Sequence, residues 1–151
     1  MTIAIPLHLL AAVIWVGGMF FAYMALRPVA ANLLEPPLRL PLWSQTFAKF
    51  FPWVWVAVFT LLATGLWMVY SVFGGFGGVG LHVHLMTAIG TLMILLFSHV
   101  FFSPYQGIKR ALAENNVPEA GRRLAQIRII IAINMTLGLI VVVIASAGRY
   151  M

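Results

Sequence analysis

Four long apolar stretches dominate the chain: Ile3–Leu26, Phe50–Phe73, Leu81–Phe102 and Ile127–Ala147. A helix needs roughly 20 such residues to cross about 30 Å of hydrocarbon. Each stretch meets that length. The expected fold is therefore all-α, a four-transmembrane-helix antiparallel bundle. Of 151 residues, 63% are hydrophobic and 8% charged, too apolar for a soluble domain of this size. Little chain remains between the stretches. The sequence reads as a single integral membrane domain over residues 1–151, without a separate soluble module.

The first stretch does not read as a cleaved signal peptide. No basic region precedes it, it exceeds the length of a signal core, and Trp15 and Phe20–Phe21 interrupt any small-residue cleavage site. The chain has no cysteine, which excludes disulfides, thiolate metal sites and cysteine nucleophiles.

The net charge of +6 reflects topology rather than nucleic-acid binding. Arg27, Arg39 and Lys49 flank the first connection, and Lys109, Arg110, Arg122, Arg123 and Arg128 flank the third. The second connection, Ser71–Gly80, carries no charge. The positive-inside bias thus places connections one and three in the cytoplasm and both termini outside, in a bacterial-type inner membrane. Arg149 is the one dissenting charge. The basic side also attracts anionic membrane lipid.

The connections carry their own signals. The first helix is expected to end near Arg27–Pro28, and Pro36, Pro37 and Pro41 to break any continuous helix. Leu42–Phe51 then reads as an interfacial segment, with Trp43, Trp53 and Trp55 at headgroup level. The glycine-rich run Gly74–Gly80 lacks a phosphate-loop lysine and reads as a hairpin between helices. Asn116 suits an N-cap, Pro118 a first turn and Glu119 the positive helix end.

Four histidines stand in or at the ends of just two stretches: His8 in the first, and His82, His84 and His99 in the third. Ionisable groups inside a membrane are costly, and they mark functional sites by default. His8, His82 and His84 fall near the outer face. His99 lies about 22 Å below His84 at the helical rise. At about 100° per residue, His82 and His84 diverge by about 160°, so at most one of them faces a given site. His84, Thr87, Thr91 and Ser98 share a stripe, while His8, Ala12, Trp15, Met19 and Ala22 share a face of the first helix. These two faces are expected to meet in the bundle core. The bland alternative is that they are ordinary helix contacts with polar residues as glue. Gly17-Gly18, Gly65, Gly90 and Gly138 would permit close helix approach or leave room for a flat macrocycle.

Two donor chemistries fit. Neutral imidazole suits haem iron, so His8 with His84 or His82 could hold haem b between helices one and three. An inner haem would need His99 with Met24 or Tyr23. Alternatively, His82, His84 and Met86, together with His8, offer imidazole and thioether to Cu(I). Met19, Met68, Met93 and Met135 would continue a copper path inward, although methionines in so apolar a chain are mostly core filler. The carboxylates Glu35, Glu114 and Glu119 all lie in connections, which argues against carboxylate-driven proton coupling or a serine triad within the spans.

The run Leu7-His8-Leu9-Leu10-Ala11-Ala12-Val13-Ile14-Trp15-Val16-Gly17-Gly18 resembles the start of CopD-type membrane domains. Its His-x6-Trp-x-Gly-Gly pattern is also similar to the first helix of HemJ-type protoporphyrinogen oxidases. Leu81-His82-Val83-His84-Leu85 resembles the Leu-His-x-Lys-Leu of the HemJ-type third helix, which has lysine where this chain has His84. His99 falls close to that family's later histidine, and Arg128 through Asn134 is similar to its Arg…Asn stretch. The chain is shorter than a full CopD-type protein and resembles a stand-alone relative. The resemblance implies copper uptake and resistance in the first case. In the second it implies haem b binding and porphyrinogen oxidation. His8 is the ligand candidate in both.

The leading expectation is a CopD-like metal protein binding haem b through His8 and His84 or His82, for electron transfer or oxidation of a membrane-accessible small molecule. Arg149 outside, or Arg27 and Arg128 inside, would neutralise haem propionates. The second expectation is a copper-binding or copper-uptake protein using His8, His82, His84 and Met86. The third is a non-catalytic assembly subunit. The partners expected are membrane lipid, an electron-transfer or copper-donor protein outside, and a second copy of the chain. Nucleic acid is not among them.

Overall fold

The computed structural model describes residues 2–150, without the side chain of Arg149. The described residues form helices and no strands. Helix α1 (Ala4–Phe21) continues through a π-helical turn (Ala22–Leu26) into α2 (Arg27–Leu33). Helix α3 covers Pro36–Phe73 and α4 covers Leu81–Phe102. Helix α5 (Pro104–Ala113) and helix α6 (Val117–Ala147) complete the chain. Four of the continuous helical stretches are long and apolar enough to cross a membrane.

The first helix does not end at Arg27–Pro28. Pro28 is absorbed by the π turn. There the Arg27 N–H bonds to the Ala22 carbonyl, which leaves the Tyr23 carbonyl opposite Pro28, a residue with no N–H to give. The Arg27 side chain fills the gap, Nε donating to the Tyr23 carbonyl at 3.3 Å.

The prolines of the first connection do not break the second helix either. Pro36 and Pro37 occupy the opening positions of α3, where no N–H is needed. Pro41 and Pro52 lie inside it, as neighbouring helices allow in membrane proteins. At 38 residues, α3 is about 57 Å long and so exceeds the hydrocarbon layer. Leu42–Phe51 is thus continuous with a spanning helix rather than a separate segment. Leu40, Trp43, Phe47, Phe51 and Val54 recur at helical spacing and are buried, so Trp43 is a core residue.

Pro104 ends α4, and the chain turns at Ser103. Helix α5 lies against the bundle with Tyr105, Ile108 and Ala111 buried and Lys109 and Arg110 exposed. As expected, Asn116 caps α6, its Oδ1 accepting the Glu119 N–H at 3.2 Å. The glycine hairpin is a tight stop. Gly74 and Gly75 adopt φ of +68° and +119°, a region L side chains rarely enter.

Helix α1 packs along α3, and α4 packs along α6. Close approach depends on three glycines. The Phe50 ring occupies the place of a Gly18 side chain, His8 lies over Gly65, and Val16 and Met93 close on Gly138. Among the described residues, no neighbouring side chain lies within 4 Å of the Cβ positions of Gly17 or Gly90.

An aromatic cluster ties the helices together. Phe51 stacks on Phe47 at 4.9 Å and meets Tyr105 at 4.9 Å and Phe97 at 5.4 Å edge to face. Trp55 and Trp15 reach Phe97 at 5.0 and 6.2 Å. Apolar burial adds little when the surrounding solvent is lipid, so such packing carries the stability. Phe51→Ala should cost on the order of 3 kcal/mol. Phe59→Ala, at a position 64% exposed, should change stability by less than about 1 kcal/mol. Thermal unfolding in detergent checks this, and equal losses would contradict the packing assignment.

Candidate functional site

The free donor atoms stand out because most hydroxyls in the spans are already engaged. Thr46, Thr60, Thr87, Thr91 and Thr136 each donate to the carbonyl four residues back in their own helix. That bond lets a hydroxyl sit at a lipid-facing position, and Thr87 and Thr91 are both exposed.

Thr64 does the same and more. Its Oγ1 donates to the Thr60 carbonyl at 2.6 Å, which uses its single proton. His8 Nδ1 lies 2.8 Å from the same oxygen, on the other side of the α1–α3 contact. With the Thr64 proton on the Thr60 carbonyl, His8 Nδ1 is the donor of this pair. The neutral ring then leaves Nε2 as a bare lone pair. Gly65 completes the seat: a Cβ there would lie 3.4 Å from His8 Cε1. A ring whose far nitrogen is anchored and whose near nitrogen is unprotonated is the usual arrangement of a metal-binding histidine.

The other histidines do not converge on His8. His84 is exposed beside Phe76, with ring centroids 6.1 Å apart. Its stripe through Thr87 and Thr91 faces away from the bundle, while Met93, Phe97 and Val100 form the buried face of α4. The two faces expected to meet in the core therefore do not. Their hydroxyls are satisfied by their own helix, so nothing draws the polar stripe inward. His82 is half-buried against the end of α6, where a Cβ on Gly148 would lie 2.6 Å from its own Cβ. Met86, one turn on and also half-buried, shares that face of α4. Among the described residues, no group of three or more His, Asp or Glu side chains could hold one metal ion. His8, His82 and His84 thus form no three-ligand cluster among the described residues: His8, on α1, packs against α3, and His82 lies beside the end of α6 with Met86 one turn on.

His99 is exposed near the basic end. Met24 is 54% exposed, and Tyr23 lies under the Arg27 guanidinium at 4.3 Å, so neither forms a buried inner pair with His99. Arg149 falls outside the described side chains.

The structure gives two polar residues roles that the sequence did not assign them. Thr64 is the first, and its signal was a hydroxyl beside a glycine in an otherwise bulky span. Asn134 is the second: it is buried, and its Nδ2 donates to the Met93 carbonyl at 3.3 Å. Its Oδ1 has no partner and is the single such buried side-chain atom among the described residues. Asn134 lines a cavity of about 160 Å³ between Trp15, Met19, Phe51 and Phe97.

This arrangement of four apolar spans with sparse soft donors at one end defines a multi-pass, all-helical membrane protein. The chain belongs to the copper resistance protein D (CopD) family, whose model matches residues 44–147. The match takes in most of α3 and all of α4, α5 and α6, including Thr64, His82, Met86 and Asn134. It does not extend to α1 and His8. An "Uncharacterized protein" of Aquifex aeolicus (strain VF5) is 25% identical over 111 residues, 73% of this chain and 73% of that protein. No solved structure matches the chain.

The tautomer assignment is directly measurable. Nitrogen NMR of histidine-labelled protein should show His8 protonated on Nδ1 and bare on Nε2. Thr64→Val should replace that signal with a tautomer mixture. An Nε2-protonated His8 in the wild type would refute the assignment.

Proposed function

We propose that this CopD-family chain handles copper as Cu(I) at the glycine-hairpin end of the bundle, with His8 Nε2 as its principal imidazole donor. The observation that carries this reading is the His8–Thr64 contact, which seats the ring on α3 through Nδ1 and turns Nε2 away from that bond. Family membership supplies the metal. The donor set fits its monovalent form: imidazole and thioether suit Cu(I). Glu35 and Glu114 lie in connections and Glu119 in the first turn of α6, all at the basic end, so a doubly charged ion would find no carboxylate near the histidines of the hairpin end.

His82 and Met86 form the second donor pair, one turn apart on α4. Copper is cargo on this reading, and the two donor sets are places where it rests. The positive-inside bias puts the basic end in the cytoplasm, so both sets face the outer side of an inner membrane. Haem b on His8 would draw on the same nitrogen. It is the weaker reading because His84 does not stand opposite to give a second axial ligand.

One preparation separates the two. Purified protein titrated anaerobically with Cu(I) against a chromogenic chelator should bind copper. His8→Ala should remove the tightest site. Thr64→Val should weaken it by about 10- to 100-fold, as loss of a ligand's orienting partner does. Unaltered affinity in His8→Ala would sink the assignment. A Soret band that vanishes in the same variant would move the site to haem.

The orientation has its own check, helped by the absence of native cysteine. In intact cells, a membrane-impermeant maleimide should label Gly77→Cys. Glu114→Cys should be labelled only after permeabilisation. The reverse pattern would invert the proposed topology.

A further inference from the structure

At the end opposite His8, His82 and His84, a second and larger cavity of about 490 Å³ opens among α2, α3 and α6. Arg27, Arg39 and Arg128 line it, each from a different helix. No aspartate or glutamate is in its lining. Among the described residues, the ion pairs join Glu119 to Arg122 and Arg123, which leaves the three cavity arginines without a carboxylate. Positive-inside bias explains basic residues at this end, but it does not explain their convergence on one hollow.

The local structure holds one guanidinium in place. The π turn leaves the Tyr23 carbonyl without a backbone donor, and Arg27 Nε takes it up. The Tyr23 ring lies 4.3 Å beneath the same guanidinium. The terminal nitrogens of Arg27 make no hydrogen bond within the described residues, and they suit the bidentate geometry of phosphate. The N-terminal ends of α3 and α6 also border the cavity, at Pro36 and at Val117–Pro118. Prolines occupy their first turns, so they contribute dipole field rather than N–H donors.

The cavity is amphipathic. Trp43, Phe47 and Ile131 form its inner wall. Ala22, Phe47 and Ile131 also line the smaller apolar cavity that reaches Asn134. A soluble anion would use the arginines and leave the apolar wall uncovered. A lipid would use both.

We propose that this cavity is a binding site for an anionic phospholipid, its phosphate held by Arg27, Arg39 and Arg128 and its glycerol and upper acyl chain against Trp43 and Phe47. Three guanidiniums without a carboxylate in the lining favour a net negative headgroup over a zwitterionic one. The site is independent of the copper donors.

Native mass spectrometry of the detergent-solubilised full chain tests it, with phosphatidylglycerol and phosphatidylcholine of identical acyl chains and, separately, inorganic phosphate. The wild type should retain one phosphatidylglycerol in preference to phosphatidylcholine by at least about tenfold. The triple variant Arg27→Gln/Arg39→Gln/Arg128→Gln should lose that preference. Gly121→Leu gives an independent arm. Gly121 lines the cavity, and no atom lies within 4 Å of its Cβ position, so leucine fills the hollow without changing any charge. It too should lose the preference while keeping the wild-type melting temperature. Lys49→Gln/Lys109→Gln/Arg110→Gln removes the same charge outside the cavity and should keep the preference. Wild-type behaviour in Gly121→Leu, or equal loss in the outside triple variant, would overturn the site in favour of diffuse surface attraction. Displacement of the lipid by equimolar inorganic phosphate would overturn the lipid assignment.

Discussion

A polar atom inside hydrocarbon must find a partner within the protein, and nearly everything in this structure follows from how few are left without one. The backbone is satisfied by four long helices. Threonine hydroxyls are satisfied by the carbonyl one turn back. Asn134 bonds across to the Met93 carbonyl and so joins α6 to α4. Against that background two polar atoms matter: Asn134 Oδ1, which has no partner among the described residues, and His8 Nε2, which is bare when Nδ1 donates to Thr64. The second is a strong ligand for a soft metal.

The two ends of the bundle differ in chemistry. The hairpin end carries no fixed charge in its connection and offers imidazole and thioether, donors suited to a cation that must shed water. The basic end gathers guanidiniums around a hollow with aromatic walls, suited to an anion that carries an apolar tail. Helix α3 links them, because it holds Thr64 near one end and Arg39 with Trp43 near the other. The Phe47–Phe51–Phe97 cluster between them keeps the helices in register. The proposed copper and lipid sites are thus separable in position and in the residues they use.

Much of the fold was legible from hydropathy, because a membrane span is set by length and apolarity alone. The Asn116 cap was legible too, since Asn, Pro and Glu at that spacing leave few other conformations. The first connection was not. Pro36, Pro37 and Pro41 look like breakers, yet two of them open a helix and the third sits within a segment held by its neighbours. The histidine stripe misled for a related reason. In water, a polar stripe on an apolar helix marks direction. In lipid, threonines that bond to their own helix can face outward, so Thr87 and Thr91 say nothing about where His84 points. The His8–Thr64 pair joins residues 56 positions apart, and only the packing of α1 on α3 reveals it.

The account rests on His8 presenting a bare Nε2 to copper. X-ray absorption at the copper edge of the Cu(I)-loaded wild type and of His8→Ala tests that most directly. The wild-type spectrum should contain imidazole outer-shell scattering, and the variant should lose that contribution at the tight site. Superimposable spectra from the two proteins, or a wild-type shell without imidazole, would contradict it.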